Sequence, residues 1–195
     1  MGTDLSTLVN SALESSGLSF EEIEGQRRFK TYIKVPNYVC KYLEKFNVPH
    51  DKAGIERTLG LFYIWLKVVD DEIDNGKLDG RIILERFDTL FEGKVHYSDV
   101  NIPSIALTDL LRDLTWQHHH GVYEALKNLY RSVISEKDAR NIRQLIEARK
   151  QVGRATALAT LEVMSPYIYS RNSDFERFFI DLGEAANVYD LYLDL

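Results

Sequence analysis

Residues 55–74 read Ile55-Glu-Arg-Thr-Leu59-Gly-Leu-Phe62-Tyr-Ile-Trp-Leu66-Lys-Val-Val69-Asp-Asp-Glu-Ile73-Asp74. Ile55, Leu59, Phe62, Leu66, Val69 and Ile73 are spaced 4-3-4-3-4, one continuous stripe on a helix. Asp51 is placed to cap its start, and Asn75-Gly76 to end it. The stretch is the most apolar of the chain, yet it closes on four carboxylates in five residues, Asp70, Asp71, Glu72 and Asp74. Asp70 and Asp74 are i,i+4, and Asp71 and Asp74 are i,i+3, so all three share one side of the helix. Like charges at that spacing cost a few tenths of a kcal/mol per pair, and the negative end of the helix dipole adds to the cost. A sequence chosen for stability alone would carry Lys or Arg here. A bound divalent cation reverses the sign of the argument, because hard cations such as Mg²⁺ take carboxylate and phosphate oxygens.

The rest of the chain follows the same period. Ser19-Phe-Glu-Glu22 reads as a capping box opening a helix towards Lys34, with Pro36 as a break or kink. Further helices are expected over 81–91, 104–116 and 122–133. A long segment starting at Ser135-Glu-Lys-Asp138 should reach Pro166, and a capping box at Ser173–Glu176 opens a last helix. The weakest pattern, and so the longest expected loop, is 95–103. No window alternates with a period of two. The expected fold is all-α, a helical bundle of about seven or eight helices in a single domain over 1–195.

The last helix repeats the acidic theme. Asp190 and Asp194 are i,i+4, on a stripe with Gly183 and Asn187. The neighbouring stripe, Phe178, Leu182, Ala185, Tyr189 and Leu193, is apolar and reads as core-facing. In the earlier helix the stripe 63, 67, 70, 74 also borders an apolar face. Two helices that each carry an acid pair beside a buried stripe can face each other across a bundle and build a polycarboxylate centre. The alternative is two solvated acidic faces.

Composition narrows the function classes. Lys plus Arg is 24 and Asp plus Glu 30, a net charge of −6, which argues against nucleic acid as the main partner. The single cysteine, Cys40, excludes an intramolecular disulfide and favours a reducing compartment. With no apolar run near 18 residues and no basic leader, the expectation is a cytoplasmic protein. Cys40 reads as a buried structural thiol, Trp65 and Trp116 as core, and His118, His119 and His120 as a surface or helix-end group, since consecutive helical residues point about 100° apart.

Asp70-Asp71-Glu72-Ile73-Asp74, followed more than a hundred residues later by Asp190 and Asp194, resembles the paired aspartate-rich motifs of the class I isoprenoid synthase superfamily. The lead-in Leu61-Phe-Tyr-Ile-Trp-Leu-Lys-Val-Val69 is similar to the phytoene synthase segment before the same motif. Residues 102–111 and Glu162-Val-Met-Ser-Pro166 lean towards the same squalene/phytoene synthase branch. The second motif, with Leu182-Gly183, Asn187, Asp190 and Asp194, is closer to trans-prenyl diphosphate synthases. There Asn187 stands for their Gln and Leu191 for their middle Asp, and Tyr189 stands where the squalene/phytoene branch has Arg. The resemblance spans about residues 50–195.

The resemblance implies a bundle of the isoprenoid synthase type and a Mg²⁺-dependent enzyme that ionises an allylic prenyl diphosphate and transfers or condenses the prenyl chain. A class I terpene cyclase, and a non-catalytic helical relative that binds a partner, are the alternatives. By the resemblance, Asp70, Asp71, Asp74, Asp190 and Asp194 hold metal, with Asp70, Asp74 and Asp190 in the catalytic role. Arg154, Lys150 and Asn187 bind substrate. Arg149 shares the basic stretch, and Gly25-Gln-Arg-Arg28 faintly resembles a basic segment of the prenyl synthases. Phe62, Tyr63 and Trp65 are candidates to line an isoprenoid cavity. An apolar product implies peripheral membrane association. The chain stops one residue after Asp194, which predicts a bundle incomplete at its C-terminal end and prone to homo-oligomerise through exposed apolar surface.

Overall fold

The computed structural model describes residues 4–13, 19–25, 29–74, 103–115 and 119–194. These form eight α-helices: α1 (Leu5–Leu13), α2 (Phe20–Gly25), α3 (Phe29–Lys45), α4 (Lys52–Asp74), α5 (Pro103–Leu114), α6 (His119–Lys137), α7 (Ile142–Met164) and α8 (Ser173–Asp194). A 3₁₀ turn, Ser165–Tyr167, follows α7. Among the described residues there is no strand, only an isolated bridge between His50 and Ile168, so the all-α fold class holds. No helix among them is long and apolar enough to cross a membrane. The stop at Asn75-Gly76, the helix expected over 81–91, the loop over 95–103 except Pro103, Gln26 to Arg28, Trp116 and His118 lie outside the described residues.

Helix α4 is the axis. Ile55 and every residue from Thr58 to Trp65 are buried, as are Val68 and Val69, so the helix is enclosed on all sides over its middle. It packs against α1, α3, α5 and α7, while α7 also packs against α6 and α8. Thus α4 and α7 join two helical layers. Asp51 caps α4 by accepting from the Gly54 amide at 3.1 Å. Trp65, fully buried, donates from Nε1 to Thr108 Oγ1 at 2.7 Å. Thr108→Val keeps the shape but removes the hydroxyl that accepts from this buried indole N–H. We expect it to cost about 1–3 kcal/mol in urea unfolding.

Phe62 and Trp65 belong to this core, so of the three aromatics considered for a cavity wall only Tyr63 lines one. Cys40 is a buried thiol as expected, and burial pushes it up from 9.0 to about 11.

Helix boundaries show where local signals mislead. The Ser19–Glu22 capping box forms, with Glu22 Oε2 accepting from the Ser19 amide at 2.8 Å and Ser19 Oγ from the Glu22 amide at 3.2 Å. It opens α2, described over Phe20–Gly25, and residues 29–34 fall in α3. Pro36 lies inside α3 rather than at a break. Proline costs a helix one hydrogen bond, but buried Val39, Cys40 and Leu43 anchor α3 on α4 on the following turns.

Helix α3 stops instead in a Schellman motif. Asn47 takes φ 54°, the Val48 amide reaches Leu43 O at 2.9 Å, and the Asn47 amide reaches Glu44 O at 3.1 Å. Ser135 starts no helix, because α6 runs through it to Lys137; α7 is capped by Asn141, which accepts from the Gln144 amide at 3.0 Å. Likewise α8 is capped by Asn172, one residue before the expected Ser173. Its Oδ1 accepts from the Asp174 and Phe175 amides, both at 3.0 Å, and its Nδ2 donates to Phe46 O.

The stripe of α8 expected to face the core is turned largely outward. Tyr189 and Leu193 are 63% and 64% exposed and Ala185 is exposed, whereas Phe175, Phe179 and Leu191 are buried. The inward face is set by the tight approach of α7, described next.

Candidate functional site

Antiparallel packing brings the charged helix ends together. The Asp51 amide bonds Tyr167 O at 2.8 Å, and Thr58 Oγ1 donates to the Tyr167 hydroxyl at 3.0 Å, so the start of α4 is tied to the end of α7. The C-terminal end of α4 therefore lies beside the first half of α7. The Cβ-free backbones of Gly153 and Gly183 hold α7 against α8: a Cβ on Gly153 would lie 2.2 Å from Gly183 O. Arg149 of α7 meets Glu136 of α6 at 2.8 Å and Asp190 of α8 at 4.0 Å. The C-terminal ends of α4, α6 and α8 thus gather at one end of the bundle, where their partial negative charges favour a cation.

A cavity of about 540 Å³ opens there, walled by α3, α4, α6, α7 and α8. Its polar end carries Tyr32, Lys67, Asp70, Glu136, Lys137, Arg149, Asn187 and Asp190. Away from that end along each helix the lining turns apolar: Val35, Tyr63, Leu129, Val133, Val152, Ala157, Phe179 and Leu182. The Tyr63 hydroxyl is itself sealed against Thr160 Oγ1 at 2.9 Å, and burial, only partly offset by that bond, pushes it up to about 12.

Lys67 dominates the electrostatics of the polar end. Its Nζ lies 2.6 Å from Asp70 Oδ2, 3.2 Å from Asp71 Oδ1, and 5.9 Å from the centre of the Tyr32 ring. Burial works to lower the ammonium's pKa, but hydrogen bonding and attraction to Asp70, then Asp71, outweigh it and hold the group above its ordinary 10.5. The Tyr32 phenol is raised chiefly by burial; Lys67 opposes this, and Asp70, Asp190 and Asp71 add to it. Asp70 of α4 and Asp190 of α8 line the same cavity as this phenol, so a carboxylate from each helix stands at one mouth.

Of the residues expected at the site, Asp70, Asn187 and Asp190 line this cavity, and Asp71 is joined to it through Lys67. Asn187 Nδ2 donates to Gly183 O at 3.4 Å. The side chains of Asp74 and Asp194 lie outside the described residues. The two expected cations lie elsewhere. Arg154 is on the outer face of α7, bonded to Glu184 Oε1 at 3.1 Å, and Lys150 is exposed and away from the lining.

The cavity-facing row of α7 is 149, 152, 153, 156, so position 149 points in while 150 and 154 are rotated by about 100° and 140°. Among the described residues, Lys67, Lys137 and Arg149 are the cations that line the mouth. Lys67 was visible on the stripe 63, 67, 70, whereas nothing in the sequence fixes which arginine of α7 faces inward.

No three His, Cys, Asp or Glu side chains among the described residues gather as a metal-holding group. The donor set nonetheless suits Mg²⁺, which takes one or two carboxylates and completes its octahedron with water and substrate phosphates. Asp70 and Asp190 offer hard oxygen donors from different walls, beside cations that suit a phosphate. Compared with protein-family models, with curated proteins and with solved structures, the chain matches none.

Proposed function

We propose that the chain is a Mg²⁺-dependent isoprenoid synthase that takes an allylic prenyl diphosphate and transfers or condenses its prenyl chain, in the manner of squalene/phytoene synthases. The observation that carries this reading is the division of one cavity. Acids from three helices, Asp70, Glu136 and Asp190, and three cations, Lys67, Lys137 and Arg149, stand at one end, and an apolar body continues from it. An isoprenoid diphosphate has the same division, a charged head on a hydrocarbon tail.

Asp70 and Asp190 would hold the metal, with Asp71, Asp74 and Asp194 on the same two helices as further carboxylates. When bound, Mg²⁺ supplies Lewis-acid stabilisation of the leaving diphosphate. Lys67 and Arg149 offset the charge of the head group, and Asn187 offers a neutral polar contact. The apolar wall of Val35, Leu129, Val152 and Phe179 excludes water from the tail.

The test is thermal melting with Mg²⁺, with inorganic diphosphate, and with both. Ligand at about 100 times its Kd adds about 2.7 kcal/mol. In a chain of this size that corresponds to a rise of roughly 5–10 °C. We expect the rise only when both are present, followed by turnover of prenyl diphosphates. A longer chain among the products identifies condensation, and a hydrocarbon of unchanged carbon number identifies a cyclase. The competing reading, a non-catalytic relative, is favoured by the Lys67 ion pairs, which neutralise two of the acids without metal. It predicts no joint rise.

A further inference from the structure

We propose that Lys67 is a resident counter-cation that makes the site selective for a metal–diphosphate pair over the metal alone. The inference rests on the function proposed above and assigns a role that the aspartate motif by itself does not. Lys67 lies three and four residues before Asp70 and Asp71, so both carboxylates reach its ammonium from one helix without distortion, at 2.6 and 3.2 Å. The ammonium side chain is 15% exposed and Asp71 17%, so this pairing is largely withdrawn from water.

A divalent cation arriving alone at Asp70 must either displace the ammonium or approach it. Displacement takes from a poorly hydrated charge the shorter of its two carboxylate partners and leaves it with Asp71 at 3.2 Å, and close approach sets two cations against each other. Either cost subtracts from metal affinity. A diphosphate removes both, because its oxygens give the ammonium a new partner while the metal takes the carboxylate. Metal and diphosphate then each tighten the other's binding by the same factor, as linkage requires. Arg149 cannot replace Lys67 in this role: it lies on α7, held at 2.8 Å by Glu136 and only 4.0 Å from Asp190.

The experiment is Mn²⁺ binding to the full chain, read from the paramagnetic resonance of free Mn²⁺ without diphosphate, in the wild type, Lys67→Met and Lys67→Arg. Melting with Mg²⁺ plus diphosphate is run beside it. We expect Lys67→Met to bind Mn²⁺ alone at least tenfold more tightly than the wild type, and Lys67→Arg, which keeps the charge, to stay near wild type. If Lys67→Met does not fold, Lys67→Gln replaces it under the same expectation.

Equal Mn²⁺ affinity in wild type and neutral variant, in a wild type that shows the joint melting rise, overturns the role of Lys67 and leaves the function standing. Absence of the joint rise in the wild type overturns both.

Discussion

Gly153→Ala is expected to destabilise the protein by about 2 kcal/mol or more, against a helix-propensity gain of about 1 kcal/mol that the same change brings elsewhere. The new Cβ would stand 2.2 Å from the carbonyl oxygen of Gly183, 2.7 Å from its carbonyl carbon and 3.0 Å from Glu184 Cα. All three are backbone atoms, so no rotamer change relieves the overlap and α7 and α8 must move apart. The crossing is tight from the other side as well. A Cβ on Gly183 would lie 2.6 Å from Gly153 O and 3.0 Å from Ala157 Cβ.

Gly121→Ala in α6 is the control. Its Cβ would meet only the Glu162 carboxyl, at 2.8 Å, the far end of a flexible side chain. That variant should be neutral or slightly stabilising in the same urea titration. Equal effects at the two glycines would mean that backbone approach is not what sets the α7–α8 spacing. The consequence reaches the site, because Gly153 and Gly183 both line the cavity and fix Asn187 and Asp190 relative to Arg149.

That crossing also marks the boundary of what the sequence reveals. That residues 52–74 form a helix was legible because the stripe has a strict period and Asp51 stands where a cap is needed, but burial on every side of its middle was not. The shared mouth of the acids was half legible: the stripes 63, 67, 70 and 183, 187, 190 both line the cavity, but only packing could bring them to the same one.

What failed depended on neighbours. Ser135 and Ser173 are acceptable caps that lost to Asn141 and Asn172, and Asn172 gains a third bond, to Phe46 O, from a distant helix end. Pro36 reads locally as a break or kink; the break does not occur, because a helix buried on one face tolerates a missing bond. On α7, Arg149 and Arg154 differ by five residues, and their phase against the cavity is set by the glycine contact with α8. The apolar stripe of α8 was real, but helical periodicity does not say which of two faces a neighbour covers.

Asp70→Asn and Asp190→Asn are each expected to abolish the joint Mg²⁺ and diphosphate melting rise, and to lower any turnover by about 10²–10³-fold, the loss typical when one electrostatic stabiliser is removed. Arg154→Gln should leave both unchanged. The amide keeps the shape of each carboxylate and removes its charge, so the change tests ligation rather than packing. Neither variant threatens the fold. Asp190 is 69% exposed and 4.0 Å from Arg149, a pair worth about 0–1 kcal/mol. Asp70 leaves Lys67 still paired with Asp71 at 3.2 Å. Arg154 is the decisive comparison, because the resemblance pointed to it as a diphosphate ligand while its guanidinium is committed to Glu184 on the outer face. Loss of the rise in Arg154→Gln, with Asp190→Asn unaffected, would place the anion site at Arg154, which also lines a surface groove with Glu124, Asn128 and Arg131 of α6, and take the function away from the cavity. Loss in the two aspartate variants alone ties metal and diphosphate to the mouth where the acidic ends of α4 and α8 meet.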